Sequence, residues 1–465
     1  MTLPPDVPYD IAVIGAGVVG CAVFRDFSLS GLRVVLLERG ADILSGASKA
    51  NSALLHTGFD AVPGSLESRL MQEGAARYRR IHQGMGLPLL PTGAVVVAWN
   101  AADEAALPGI LERGHANGVH DVRPMGADEL RAREPHLAPE ARGGVWVPGE
   151  SVIDAWSAPL GYALQGIAAG GRVLRRAGVR GGTRDEAGTW RLDTEVGPVA
   201  ARLVVNCAGN QGDIVEAIAR PSPFEIRPRK GQFVVLDKTA YRLATAIILP
   251  VPNERTKGVV ISRTAFGNLL VGPTAEEQPD RERAATDTAA LESLLAQGRR
   301  MIPAIAQETV TTAYAGLRPA TQFKDYQIEA LPKEGWISIG GIRSTGLTAA
   351  LGIAAHARRL YEAHFATLPA FEEPEGPVMP NLTEELPRPW QEDHREEIIC
   401  HCEMVTRREI AAAFDGPLPA GDLGGLKRRS RCMMGRCQGF YCFRRVMEIA
   451  APHLPDLVSP LGGAR

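Results

Sequence analysis

Residues 11–20 read IAVIGAGVVG. IAVI is an apolar run of the length of a buried strand, and the glycine-rich GAGVVG follows it without a break. CAVFRDFSLS (21–30) then carries apolar residues at helical spacing. Strand, tight turn and helix in succession predict the opening of a doubly wound, dinucleotide-binding unit. Gly15, Gly17 and Gly20 stand in the G-x-G-x-x-G pattern, each for its own reason. The first permits the tight turn, the second lets backbone approach a pyrophosphate, and the third brings helix and strand together. The helix N-terminus then offers unpaired N–H groups to the phosphates. Working outward, Gly31 suits a left-handed helix cap, and RVVLLE (33–38) is a second buried strand. Its last residue, Glu38, is placed to accept hydrogen bonds from a ribose. The acid favours an unphosphorylated ribose, which FAD and NAD share. A second fingerprint of this kind is absent, so one bound dinucleotide is expected.

The rest of the chain sets bounds. At 465 residues, two or three structural units are expected. A hydrophobic fraction of 45% and a formal charge of −2 describe a globular protein with a large core and no electrostatic footprint for nucleic acid. No run of eighteen apolar residues predicts a transmembrane segment. MTLPPDVPYD lacks the basic and apolar regions of a signal peptide. A cytoplasmic location follows as the expectation, and with it free thiols rather than disulfides. Cys21 and Cys207 stand alone in apolar surroundings and read as small core residues. The other five cysteines crowd into the last 66 residues.

Between these ends, LVVNCAG (203–209) reads as a buried strand ending in a glycine turn. FVVLD, GVVIS and NLLVG suggest an antiparallel sheet. WISIGG (336–341) is a further buried strand, with a helix directly after it. LPAFEEPEGPVMPNLTEELPRPW (368–390) holds six prolines, which favours an extended tether.

The stretch GASKANSALLHTGFDAVPGSLESRL (46–70) resembles the flavin-proximal segment of the FAD-dependent glycerol-3-phosphate dehydrogenases and oxidases, within the D-amino-acid-oxidase-like superfamily. PRKGQF (228–233), YAGLRPAT (314–321) and GGIRSTGLTAALGIA (340–354) agree with that family in the same order. The resemblance implies FAD as the dinucleotide. The small polar residues from Ser45 to Asn51 let backbone lie against a flat ring, and the resemblance implies cofactor contacts at Ser48, Asn51 and Ser52. It places His56 at the reactive edge of the flavin as the base for a substrate hydroxyl, a role that suits an imidazole. Arg318 is the expected anion anchor, since a guanidinium grips carboxylate or phosphate bidentately. Lys230 and Arg343 are further anion candidates. The helix start at Gly346, Leu347 and Thr348 is expected to stabilise charge on a reduced flavin. Gly209 and, by analogy with related folds, Val179 complete the expected cofactor contacts.

The tail carries Cys400-x-Cys402, then 34 intervening residues, then Cys437-x4-Cys442. Four thiolates suit a [2Fe–2S] cluster or a structural zinc. Zinc ribbons usually use C-x2-C pairs, whereas here the spacings are one and four. From about 395 to 450 the tail resembles the bacterioferritin-associated-ferredoxin-like [2Fe–2S] module, which the anaerobic type of glycerol-3-phosphate dehydrogenase also carries. Cys432 is left over as a spare thiol. Thr406 and Glu409 read as a capping box for the helix that follows.

The expected fold is therefore mixed α/β. A Rossmann-like FAD-binding domain (1–90, 150–220, 310–367) holds an inserted antiparallel-sheet substrate domain (91–149, 221–309). A proline-rich linker (368–394) leads to a small helical cysteine-rich domain (395–465). The implied activity is oxidation of a secondary alcohol on a small anionic substrate, first sn-glycerol 3-phosphate, with electrons leaving through the cluster to a partner subunit or quinone. Such a partner could hold the protein at the periphery of the inner membrane. The alternatives are a 2-hydroxy acid such as L-2-hydroxyglutarate, an amino or imino acid, or a non-catalytic electron-transfer subunit.

Overall fold

The computed structural model describes residues 7–252, 258–392 and 395–454. The strand Tyr9–Ile14 lies at the centre of an eight-stranded sheet, parallel to Val34–Leu37 on one side and Val199–Asn206 on the other. Both faces of a parallel sheet are covered, which is why these strands read as continuous apolar runs. Ile11, Ala12 and Val13 are fully buried. The helix Val18–Leu29 starts three residues earlier than its apolar spacing suggested and ends before Gly31, which takes the left-handed cap at φ +80°. The helices Ser157–Ala168, Leu66–Ile81 and Gly346–His364 join it in one core with Phe24, Phe27, Leu70 and Ile353.

A nine-stranded mixed sheet forms the second unit. FVVLD, GVVIS and NLLVG pair there as antiparallel strands, Val234 opposite Val271 and Ile261 opposite Val271. One expected boundary moves. Val310–Ala320, expected within the FAD-binding segment 310–367, pairs along its length with Arg227–Leu236 and so belongs to this sheet. A strand is assigned by its ladder partner, which a chain segment read alone does not reveal. A small three-stranded sheet, Leu54–Leu55, Ser151–Ile153 and Leu89–Leu90, is also present.

The proline-rich segment is not a loose tether. Over 368–388 it has no helix or strand, yet Leu368, Met379 and Leu382 are buried. Glu373 pairs with the buried Arg25, and the Gln165 amide donates to the Gly376 carbonyl at 2.6 Å. Prolines remove backbone donors without preventing an extended chain from packing.

The cysteine-rich tail pairs Ile398–Cys400 with Val405–Thr406 and adds the helices Arg407–Ala412, Leu423–Ser430 and Phe443–Ala450. The Thr406–Glu409 capping box is present. This unit docks on the loop that follows Glu38. Asp42, fully buried, accepts both guanidinium nitrogens of Arg429, at 2.5 and 2.9 Å, and the Gly421 N–H at 3.1 Å. Arg428 donates to the Ile43 carbonyl at 3.0 Å. Gly425 lies so close that a Cβ there would fall on the Asp42 carboxylate. Removing one partner of a buried pair leaves the other charge stranded, at roughly 3–5 kcal/mol. Asp42→Ala is therefore expected to lower the thermal midpoint and to speed proteolysis of the tail. Arg436→Ala, at an arginine 66% exposed against Asp237, should cost no more than about 1 kcal/mol. Equal destabilisation by the two variants would remove Asp42 as the clasp.

Candidate functional site

A cavity of 580 Å³ is lined from both large sheets. Gly15 turns the chain at φ +100°, where a Cβ would come 2.6 Å from the Cys207 carbonyl oxygen. Gly20 does not line the cavity. It lets the helix sit against the turn, since a Cβ at Gly20 would fall on the Gly15 carbonyl oxygen. The helix therefore opens at Gly17 and Val18 on the cavity wall, with the Val18 N–H donating to Ser48 Oγ at 3.0 Å. Glu38 accepts the backbone N–H of Ala16 at 2.9 Å and of Gly40 at 2.7 Å, which fixes its carboxylate at the end of the strand Val34–Leu37. Val179 and Gly209 also line the cavity.

The segment 45–52 forms another wall and is anchored from three directions. Ser48 receives Val18, Tyr314 Oη donates to the Asn51 carbonyl at 2.6 Å, and Trp156 Nε1 donates to the Lys49 carbonyl at 3.2 Å. Ser48, Asn51, Ser52, Gly346 and Leu347 all face the cavity. Thr348 does not; its buried hydroxyl accepts the His56 backbone N–H at 3.0 Å and donates to the Leu54 carbonyl at 3.2 Å. A glycine-floored cradle, a helix N-terminus and a fixed carboxylate together fit a dinucleotide.

His56 enters the cavity after the strand Leu54–Leu55, and its Nδ1 lies 2.8 Å from Glu150 Oε2. Arg318 and Arg343 share the cavity with it. Arg318 donates to the Thr274 carbonyl at 3.1 Å, and no carboxylate among the described residues pairs with it. Burial pushes its guanidinium down to about 10, and the neighbouring Arg229 and Arg343 push the same way. An uncompensated buried cation beside two like charges is an anion-binding arrangement.

Lys230 lies elsewhere. Its ammonium pairs with Glu276 at 3.0 Å and lies 3.7 Å from Asp287, and it is absent from the cavity wall. Successive residues of a strand face opposite sides, so Arg229 takes the inward position instead. Sequence reasoning missed Arg229 and Glu150. The alternation of PRKGQF could have pointed to the first; nothing in PGES signals the second.

In the tail, the cysteines meet as two pairs, Cys402 with Cys437 and Cys400 with Cys442. Burial pushes the Cys437 thiol up, but the backbone N–H groups of Tyr441, Gly439 and Phe440 and the Cys402 thiol hold it below the ordinary value. Left-handed residues at Met404, Arg431, Met433 and Gln438 bend the flanking loops. Turns of this kind can present successive backbone N–H groups to an anionic centre. No group of three or more His, Cys, Asp or Glu able to hold a metal ion is found among the described residues. No helix among them is long and apolar enough to cross a membrane.

The chain matches the FAD dependent oxidoreductase family over residues 10–360 and belongs to it. It is an FAD-dependent oxidoreductase with a mixed α/β FAD-binding fold. The glycerol 3-phosphate dehydrogenase of Caloramator mitchellensis is 30% identical, over 96% of this chain and 94% of that one. That coverage takes in most of the cysteine-rich tail. The glycerol 3-phosphate oxidase of Mycoplasma pneumoniae is 28% identical over 76% of this chain and 94% of its own length. A solved structure of L-α-glycerophosphate oxidase from the same organism, dithionite-reduced and with FAD bound, superposes with a TM-score of 0.73 at 27% identity. It covers 79% of this chain and 97% of the oxidase.

Proposed function

We propose that this protein dehydrogenates the secondary alcohol of sn-glycerol 3-phosphate and passes the electrons outward through its tail. The observation that carries the reading is the cavity shared by His56 and Arg318, a candidate base and a buried cation that no carboxylate among the described residues pairs with. Bound FAD supplies the hydride acceptor for this chemistry. Arg318 would grip the phosphate, with Arg229 and Arg343 adding charge that favours a dianion over a single carboxylate. His56 would take the hydroxyl proton as the carbon–hydrogen bond breaks. Gly15, Gly17, Glu38, Ser48, Asn51, Ser52, Val179, Gly209, Gly346 and Leu347 would hold the dinucleotide. The similarity to glycerol 3-phosphate dehydrogenase and oxidase proteins supports the substrate class.

The test is anaerobic bleaching of the bound flavin by a panel: sn-glycerol 3-phosphate, L-2-hydroxyglutarate, glycine and other amino acids. Bleaching by sn-glycerol 3-phosphate is expected. Bleaching by a 2-hydroxy acid or amino acid alone would move the substrate to that class, and no bleaching at all would leave an electron-transfer subunit.

We assign the residues from 395 onward as a [2Fe–2S] domain, with Cys400, Cys402, Cys437 and Cys442 as its ligands. The paired thiols and the N–H groups on Cys437 support this. A cluster of this kind moves one electron at a time and would connect the protein to a partner subunit or quinone. Cys432 is fully buried, and burial pushes its thiol up to about 12, as for an inert core thiol. Cys437→Ser is therefore expected to lose bound iron and the visible absorbance that remains after flavin removal, and Cys432→Ser to keep both. Stoichiometric zinc in a colourless flavin-free protein would replace the assignment with a structural zinc site.

A further inference from the structure

Glu150 has no part in the chemistry described so far, yet it is a fully buried acid in contact with a cavity-lining residue. Its side chain is only 1% exposed. A carboxylate stripped of water persists where hydrogen bonds replace that water. The Thr57 N–H donates to Oε1 at 2.6 Å and the Thr57 hydroxyl to the same oxygen at 2.8 Å. The second oxygen is left for His56 Nδ1, at 2.8 Å.

The strand register explains the meeting of residues so distant in sequence. Leu54 pairs with Val152 and Leu55 with Ser151, antiparallel, so one step further sets His56 opposite Glu150. Gly149 lets the two segments close, because a Cβ there would come 2.6 Å from the Thr57 methyl. Thr348 pins the backbone of His56 from the other side.

We propose that Glu150 is the positioning residue of His56, fixing the ring in its Nδ1–H form and aiming Nε2 at the substrate hydroxyl. The proposal rests on the reading of His56 as the base. With Nδ1–H donating to Glu150, the basic lone pair lies on Nε2. The hydroxyl O–H bond breaks and an Nε2–H bond forms. The C–H bond breaks with hydrogen and electron pair leaving together as hydride, for which bound FAD would be the acceptor, and a carbonyl C=O forms. The buried carboxylate stabilises the imidazolium that results, without taking the proton itself.

Glu150→Gln separates this role from simple packing. It keeps the shape and one carbonyl oxygen for Thr57 but turns an amide N–H toward Nδ1, which selects the opposite tautomer. In the holoenzyme, anaerobic flavin reduction is expected to slow by on the order of 10²–10⁴-fold, with the substrate concentration for half-maximal rate unchanged and FAD retained. Glu150→Asp restores a carboxylate and should recover part of that rate. The ¹⁵N spectrum of the ring, assigned by its disappearance in His56→Ala, should show Nδ1–H in the native protein and Nε2–H in Glu150→Gln. Native reduction rates in Glu150→Gln with loss in His56→Ala would overturn the positioning role alone. Native rates in both would overturn the base itself. Should Glu150→Gln not fold, the native spectrum decides, since an Nε2–H ring in the native protein overturns the proposal.

Discussion

A Gly20→Ala protein is expected to purify without bound FAD. The added methyl would fall on the Gly15 carbonyl oxygen and reach the Cys207 side chain at 3.4 Å. Neither obstacle yields easily. Gly15 already turns at φ +100° against the Cys207 carbonyl, so the strand end has no room to retreat. The helix Val18–Leu29 has to lift instead, carrying the Val18 N–H away from Ser48 and opening the cradle. Overpacking of this kind costs roughly 1–3 kcal/mol where side chains can adjust, and more where backbone is struck. Gly31→Ala is the control. Nothing lies within 4 Å of a Cβ there, and its left-handed backbone at φ +80° costs about 1–2 kcal/mol in stability without touching the cavity. Flavin absorbance per protein, beside far-ultraviolet circular dichroism, distinguishes the two. Full FAD occupancy in Gly20→Ala would refute the packing argument.

His56→Ala should keep its flavin and lose reduction by substrate, slowing that step by on the order of 10²–10⁴-fold. None of the backbone contacts at the glycine turn or at Glu38 involves the imidazole, so colour is retained. Alanine also strands Glu150 Oε2, a penalty of roughly 1–3 kcal/mol for a buried acceptor left unmet. His56→Asn returns a donor to that oxygen but supplies no base. It should therefore match alanine in slow reduction while regaining the lost thermal stability. Stopped-flow reduction under anaerobic conditions reads the first effect and a melting curve the second. Unchanged reduction in both variants removes His56 from the chemistry.

Much of the nucleotide half is legible because its determinants are local. The turn Gly15–Gly20, the strand that delivers Glu38 and the Thr406–Glu409 cap each lie within a few residues of what they shape. What escaped depends on pairing across the chain. Glu150 meets His56 through a ladder between segments 94 residues apart, and PGES looks like any polar turn. Lys230 and Arg229 are adjacent cations, and only the register of Arg227–Leu236 against Val310–Ala320 decides which one faces inward. The same pairing moved Val310–Ala320 into the second sheet. Asp42 gives no sign in sequence that a helix from the far end of the chain will close over it.

That clasp changes what a truncation can teach. Cutting the chain near 394 to obtain a tail-less flavoprotein would remove Arg429 and leave the buried Asp42, four residues beyond Glu38, facing the more distant Arg175 at 3.9 Å in place of a bidentate partner. The shortened protein would then lose activity through a disturbed cofactor loop, whether or not electrons ever pass through the tail. Single cysteine substitutions leave the docking helix in place, and they are the cleaner way to ask what the tail carries.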